Sequence, residues 1–182
     1  MTSELKKLLS LKTSKVLVEE IAKKVISSPE LFDELFILTT DKNRNIAWHS
    51  LWACLKISES HPSFFYDKYE ELANRAMNSE DSTLLRLLLN ILFHLPLPKS
   101  VNVAFLDFCI LNMTAPDKTS ACQSISMKLA YKICSTTHPE LLREIKVIIE
   151  NMDESYYNPA AISTRKNILR SIKKYHSNRI NE

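Results

Sequence analysis

Apolar residues recur along this chain every three or four positions, which is the spacing of one face of an α-helix. The segment 141–152 shows the pattern clearly, with apolar side chains at positions 141, 142, 145, 148, 149 and 152. No segment alternates apolar and polar residues as a half-buried strand does. The pattern predicts an all-α chain, with helices over residues 3–10, 15–27, 29–39, 43–58, 62–78, 82–95, 98–112, 118–136, 139–152 and 159–176.

Prolines and capping residues mark where these helices begin. Proline fits the first helical turn, where its missing N–H costs nothing. Pro29 and Pro159 follow a serine and an asparagine, which are good N-caps. The other marked starts are predicted at Pro62, Pro98 and Pro139, and behind the capping residues Asp41, Asp81 and Asp117.

The helices repeat in pairs. Four similar stretches end at positions 57, 95, 133 and 172, so the spacings are 38, 38 and 39 residues. The His-Pro pairs at 61 and 138 lie 77 residues apart, which is two periods. The four stretches are Trp52-Ala-Cys-Leu-Lys-Ile57, Asn90-Ile-Leu-Phe-His-Leu95, Lys128-Leu-Ala-Tyr-Lys-Ile133 and Asn167-Ile-Leu-Arg-Ser-Ile172.

A period of this length, with two helices in each unit, resembles HEAT and armadillo-type repeats over nearly the whole chain, from about Lys15 to His176. The resemblance implies an α-solenoid, or α-α superhelix, of about four to five helix pairs, which we expect to form a single domain over residues 1–182. Three segments look like a family of small bacterial HEAT-like proteins without a known activity. They are Ile46-Ala-Trp-His-Ser-Leu-Trp52, His138-Pro-Glu-Leu-Leu-Arg-Glu144 and Ser163-Thr-Arg-Lys-Asn-Ile-Leu169.

The chain contains no glycine, and this absence argues against several classes of enzyme. Phosphate-binding loops and the serine turn of α/β-hydrolases both depend on glycine. Some members of the bacterial family carry an adenylosuccinate lyase label, which does not fit here because that superfamily needs a Gly-Ser-Ser loop. Asparagine can replace glycine at a left-handed helix end, so we expect Asn78, Asn112 and Asn151 to take that role.

The cysteines and the apolar stretches predict the compartment in which the protein is located. Cys54, Cys109, Cys122 and Cys134 form no CxxC pair and mostly lie among apolar residues. We therefore expect reduced thiols in the core, and no metal or other cofactor. No apolar stretch is long enough to span a bilayer, so we expect a cytoplasmic protein without a membrane span.

One row of residues stands out when the repeats are aligned. Trp48 and Trp52 lie one helical turn apart and share a face. Most residues at the equivalent positions of the later repeats are polar, which predicts a partly open surface that binds a partner. This surface, called the ridge below, consists of Trp48, Trp52, Lys56, Arg86, Asn90, His94, Lys128 and Lys132.

The ridge hypothesis makes a specific prediction about exposure. Trp52 should be more exposed than Leu51, with Trp48 between them. The side of the helix that faces solvent should also carry Asn45, His49 and Glu59. The alternative is that both tryptophans belong to the core between repeats.

These features favour a non-enzymatic module that binds another protein, with no catalytic residues. One alternative is a DNA-binding enzyme of the HEAT-like alkyl-DNA glycosylase type, and another is a purely structural subunit of an oligomer. The charge disfavours nucleic acid: the formal net charge is +3, and the segment 27–154 carries 12 basic and 17 acidic residues. The basic residues concentrate near both ends, where we expect them on solvated helix faces.

Overall fold

A computed structural model describes residues 3–11 and 14–180, and within these ranges the chain is helical with no strand. The prediction of an all-α chain is confirmed. The α-helices are α1 (Glu4–Ser10), α2 (Lys15–Ser27), α3 (Phe32–Leu38), α4 (Arg44–Ser60), α5 (Tyr69–Met77), α6 (Ser82–His94), α7 (Val103–Thr114), α8 (Ser120–Thr137), α9 (Leu142–Glu150) and α10 (Pro159–Ile180).

The helices form two layers. In the first layer, α2, α4, α6, α8 and α10 pack side by side in chain order. In the second layer lie α3, α5, α7 and α9, and each packs against the first-layer helix that follows it. The apolar faces of both layers meet in one continuous core. This arrangement is an α-solenoid of four helix pairs followed by α10, in agreement with the sequence prediction.

The predicted helix starts need correction at the prolines. Three of the segments begin with one turn of 3-10 helix, at Pro29–Leu31, Pro62–Phe65 and Pro139–Leu141, before the second-layer helix proper. No side chain caps these turns. Pro98 lies outside α7 altogether, because Asn102 caps that helix by accepting a hydrogen bond from the amide of Ala104.

The aspartate caps are partly as predicted. Asp81 accepts hydrogen bonds from the amides of Thr83 and Leu84 at the start of α6. Asn43 caps α4 in place of Asp41, which instead accepts a hydrogen bond from the amide of Asn43. Similarly, α8 is capped by Thr119 and not by Asp117.

The prediction of left-handed asparagine caps is wrong. No described residue has a positive φ. Asn78 and Asn151 do follow α5 and α9, but with φ of −99° and −84°, and Asn112 is buried inside α7. Two helices end instead at extended residues, Leu95 and Ala115, each of which precedes a proline. Because a residue before proline disfavours the helical conformation, these helices end without needing glycine.

The four cysteines are free and buried, as predicted. Burial raises the pKa of the Cys54 and Cys134 thiols to about 12. These side chains therefore act as small apolar groups within the core. Among the described residues, no helix combines the length and the apolar character needed to cross a membrane.

Candidate functional site

The ridge lies on three neighbouring helices of the first layer. Helix α4 carries Trp48, Trp52 and Lys56; α6 carries Arg86, Asn90 and His94; and α8 carries Lys128 and Lys132. His94 and Lys128 are exposed and the other six residues are partly buried, so none of the eight lies fully in the core. Because α4 packs on α6 and α6 packs on α8, the row predicted from the repeat alignment occupies adjacent helices.

The two tryptophans stack on each other. Their ring centroids are 5.8 Å apart and the ring planes are inclined by 21°. Both rings pack in part against the core while retaining some contact with solvent. Leu51, by contrast, is only 1% exposed. Trp52 is thus more exposed than Leu51, as expected from the repeat alignment, although the pair is anchored to the core and does not stand free.

His49 does not lie on the solvent side, contrary to the prediction. It is 5% exposed, and its Nδ1 donates a hydrogen bond to the carbonyl oxygen of Leu9 at 2.7 Å. The cause is α1, which packs across α4. Because α1 stands outside the repeat, comparison of the repeats gives no sign that it covers this part of α4.

Lys132 has a structural contact that its sequence position did not indicate. Its Nζ donates hydrogen bonds to the carbonyl oxygens of Phe93 and Leu95, at 2.7 and 2.5 Å. These carbonyls belong to the C-terminal end of α6, where a cation is favoured by the helix dipole. Burial lowers the pKa of Lys132. Lys132 therefore fastens α8 to the end of α6.

Phe93 lies beside the ridge, and the sequence analysis did not single it out. It is partly buried against the core, and the ammonium groups of Lys128 and Lys132 lie 6.0 and 5.5 Å from its ring centroid. These are distances at which a cation interacts with an aromatic face. The equivalent positions of the other repeats hold leucine, tyrosine and arginine. The alignment therefore shows no common residue type that would single out Phe93.

The end of the ridge is a basic patch that contains one carboxylate. His94 is exposed, but partial desolvation of its ring lowers its pKa; the nearby Glu59 opposes this shift, and Lys132, Lys56 and Lys128 add to it. Lys56 and Glu59 form an ion pair at 2.8 Å. Lys56 of α4 and the two lysines of α8 thus lie near enough to His94 of α6 to influence its protonation. The three helices contribute to the same basic patch.

The middle of the ridge is formed by Arg86 and Asn90 of α6. The side-chain amide of Asn90 donates to the carbonyl oxygen of Arg86 at 2.7 Å, one turn back along α6. This bond uses one of the two N–H donors of the Asn90 side chain and holds that side chain against α6. On α10 the equivalent row continues with Ser163 and Asn167, which are exposed, and Ser171, which is partly buried.

The described residues hold no group of histidine, cysteine, aspartate and glutamate side chains that could bind a metal ion. The ridge instead presents stacked indoles beside cationic and amide groups. Such a surface can bind a molecule that covers the aromatic rings and pairs with the cations.

Comparison with known proteins agrees with this architecture. A family model described as HEAT repeat domain matches residues 5–172. No curated protein gives a significant match. Solenoids of this type expose extended surfaces suited to binding other macromolecules, and HEAT repeats commonly mediate protein interactions. With the match extending from α1 into α10, the chain belongs to the HEAT repeat domain family.

Proposed function

We propose that this domain is a non-catalytic scaffold that binds another protein through the ridge. The observation that carries the proposal is the stacked, partly exposed pair of Trp48 and Trp52 beside cationic side chains. Tryptophan and arginine are the residues that most often dominate binding energy at protein interfaces. A partner that covers the indoles removes their remaining apolar surface from water, which favours association.

The charge of the ridge indicates the kind of partner. Lys56 is paired with Glu59 and Lys132 is bonded to backbone carbonyls, whereas Lys128 is exposed over the Phe93 ring. The matching surface is an apolar side chain that packs on Trp52, with carboxylates nearby that face Lys128 and Arg86. Such complementary charges set the orientation and speed of association more than its strength.

The experiment compares protein capture by wild-type and variant domains. The immobilised full chain is exposed to a lysate, and bound proteins are quantified by mass spectrometry. Trp52→Ala should remove the specific partner, and the purified partner should then bind this variant about thirtyfold more weakly or worse, as at a tryptophan hot spot. Tyr66→Ala is the matched control, because Tyr66 is an aromatic residue that is 88% exposed and outside the ridge.

The glycosylase alternative is tested in parallel. Glu59 does place a carboxylate at the ridge, but it is already paired with Lys56. We expect no release of a modified base from an alkylated DNA duplex. Base release that Glu59→Gln abolishes, or partner capture that is equal for Trp52→Ala and wild type, would contradict the scaffold proposal.

A further inference from the structure

A groove with a volume of about 580 Å³ lies between α9 and α10, away from the ridge. Its apolar part is formed by Leu169, which is partly buried, and Ile172, which is fully buried. Lys146 and Glu150 of α9 line one side, and Arg170 and Lys173 of α10 line the other. A second concavity of about 450 Å³ extends along α10 towards Ile162 and shares Arg170.

The groove lies along the last helix of the described stack. Each second-layer helix packs against the first-layer helix that follows it, and α9 packs against α10 in this way. Within the part of the chain that the structure describes, no helix covers the face of α10 that lines the groove.

The charge of this face is one-sided. Lys166, Arg170 and Lys173 are exposed, and none of them forms an ion pair with a described residue. Glu150 of the groove is paired with Lys146 at 3.5 Å, and Glu154, which lines the second concavity, is paired with Arg165 at 2.6 Å. The uncovered face of α10 thus combines the apolar Ile162 and Leu169 with unpaired cations.

From the groove and the charge of this face we infer that the groove receives an acidic amphipathic helix of a partner protein. The apolar stripe of that helix packs on Leu169 and Ile162, and its carboxylates face Arg170 and Lys173. The face from residue 162 to residue 177 is about 22 Å long, which suits a helix of about four turns. None of the eight ridge residues lines either concavity, although Ser163 and Asn167 of the equivalent row on α10 line the second one. The inference therefore does not depend on the proposed function.

The test uses two stapled peptides derived from this chain's own second-layer helix, residues 138–151. That segment already has the apolar stripe that packs on a first-layer helix. The acidic peptide carries Arg143→Glu and Lys146→Glu. In the basic peptide, each glutamate of the native segment is replaced by lysine. A staple on the face opposite the apolar stripe holds both helical, since isolated helices of this length are marginal in water. Binding to the full chain is measured by fluorescence anisotropy.

Protein variants locate the binding site. In the groove variant, Arg170→Glu and Lys173→Glu reverse two cations of the groove. In the matched control, Lys23→Glu and Lys42→Glu reverse two exposed cations elsewhere. Circular dichroism establishes that both variants are folded. We expect the acidic peptide to bind the wild type and the control equally, and the groove variant about tenfold more weakly, with an affinity that falls as salt is added.

The inference is overturned if neither peptide binds, if the two peptides bind equally, or if the groove variant binds like the wild type. It is also overturned if sedimentation shows a dimer of this chain that the groove variant abolishes, because the groove would then be an interface between copies. Trp52→Ala should leave peptide binding unchanged, so a failure here and a failure at the ridge are distinguishable.

Discussion

Lys132 allows a quantitative test of the packing between α6 and α8. Lys132→Met keeps a side chain of similar length and removes the ammonium group that bonds to the carbonyl oxygens of Phe93 and Leu95. A hydrogen bond to a charged group contributes about 1.5–3 kcal/mol. Solvent screening and the cost of burying the ammonium both reduce that value, since the side chain is only partly buried. We expect a net loss of about 1–2 kcal/mol in the free energy of unfolding.

The measurement is urea denaturation followed by circular dichroism, with the melting temperature as a second readout. For a chain of this size the expected loss lowers the melting temperature by about 3–6 °C. Lys128→Met is the matched control, because Lys128 also lies over the Phe93 ring but its side chain is exposed. It should change the free energy of unfolding by less than about 0.5 kcal/mol. Equal losses for the two variants would refute the structural role of Lys132.

Three further outcomes follow from the packing and the pKa shifts. Leu51→Ala should cost about 3–5 kcal/mol of unfolding free energy, and Trp52→Ala about 1–3 kcal/mol; equal costs would place Trp52 in the core. The pKa of His94 is lowered from 6.5, so the unfolded chain binds the proton more readily and stability should fall as pH decreases below that value. His94→Gln should flatten this dependence in denaturation curves recorded at several pH values, and an unchanged slope would contradict it. The buried cysteine thiols should react with a thiol reagent only after denaturant is added, and rapid labelling of the native protein would contradict their burial.

The repeat and the helix content could be predicted from the sequence because periodicity reports which face of a helix is buried. The same comparison correctly placed Trp52 outside the fully buried face of α4 that holds Leu51. It works wherever each helix meets the same neighbours in every unit. These parts of the prediction needed no knowledge of individual contacts.

Several of the errors involve contacts that do not repeat. His49 is buried by α1, which has no counterpart in the later repeats of the described chain. The long side chain of Lys132 reaches the carbonyl oxygens at the end of the neighbouring helix α6. The spacing of residues along α8 cannot reveal a contact between two helices. Pro98 precedes a loop because the side chain of Asn102 caps α7 four residues later. Such contacts depend on the three-dimensional arrangement of the helices.

Hydroxyl-radical footprinting of the domain with its captured partner tests the central claim most directly. Tryptophan and tyrosine side chains react readily when exposed, and the chain offers Trp48 and Trp52 on the ridge with Tyr66 and Tyr156 as exposed references outside it. We predict that the partner lowers the labelling of both tryptophans and leaves both tyrosines unchanged. Unchanged tryptophan labelling in the bound state, or protection confined to the tyrosines, would contradict the ridge as the binding surface.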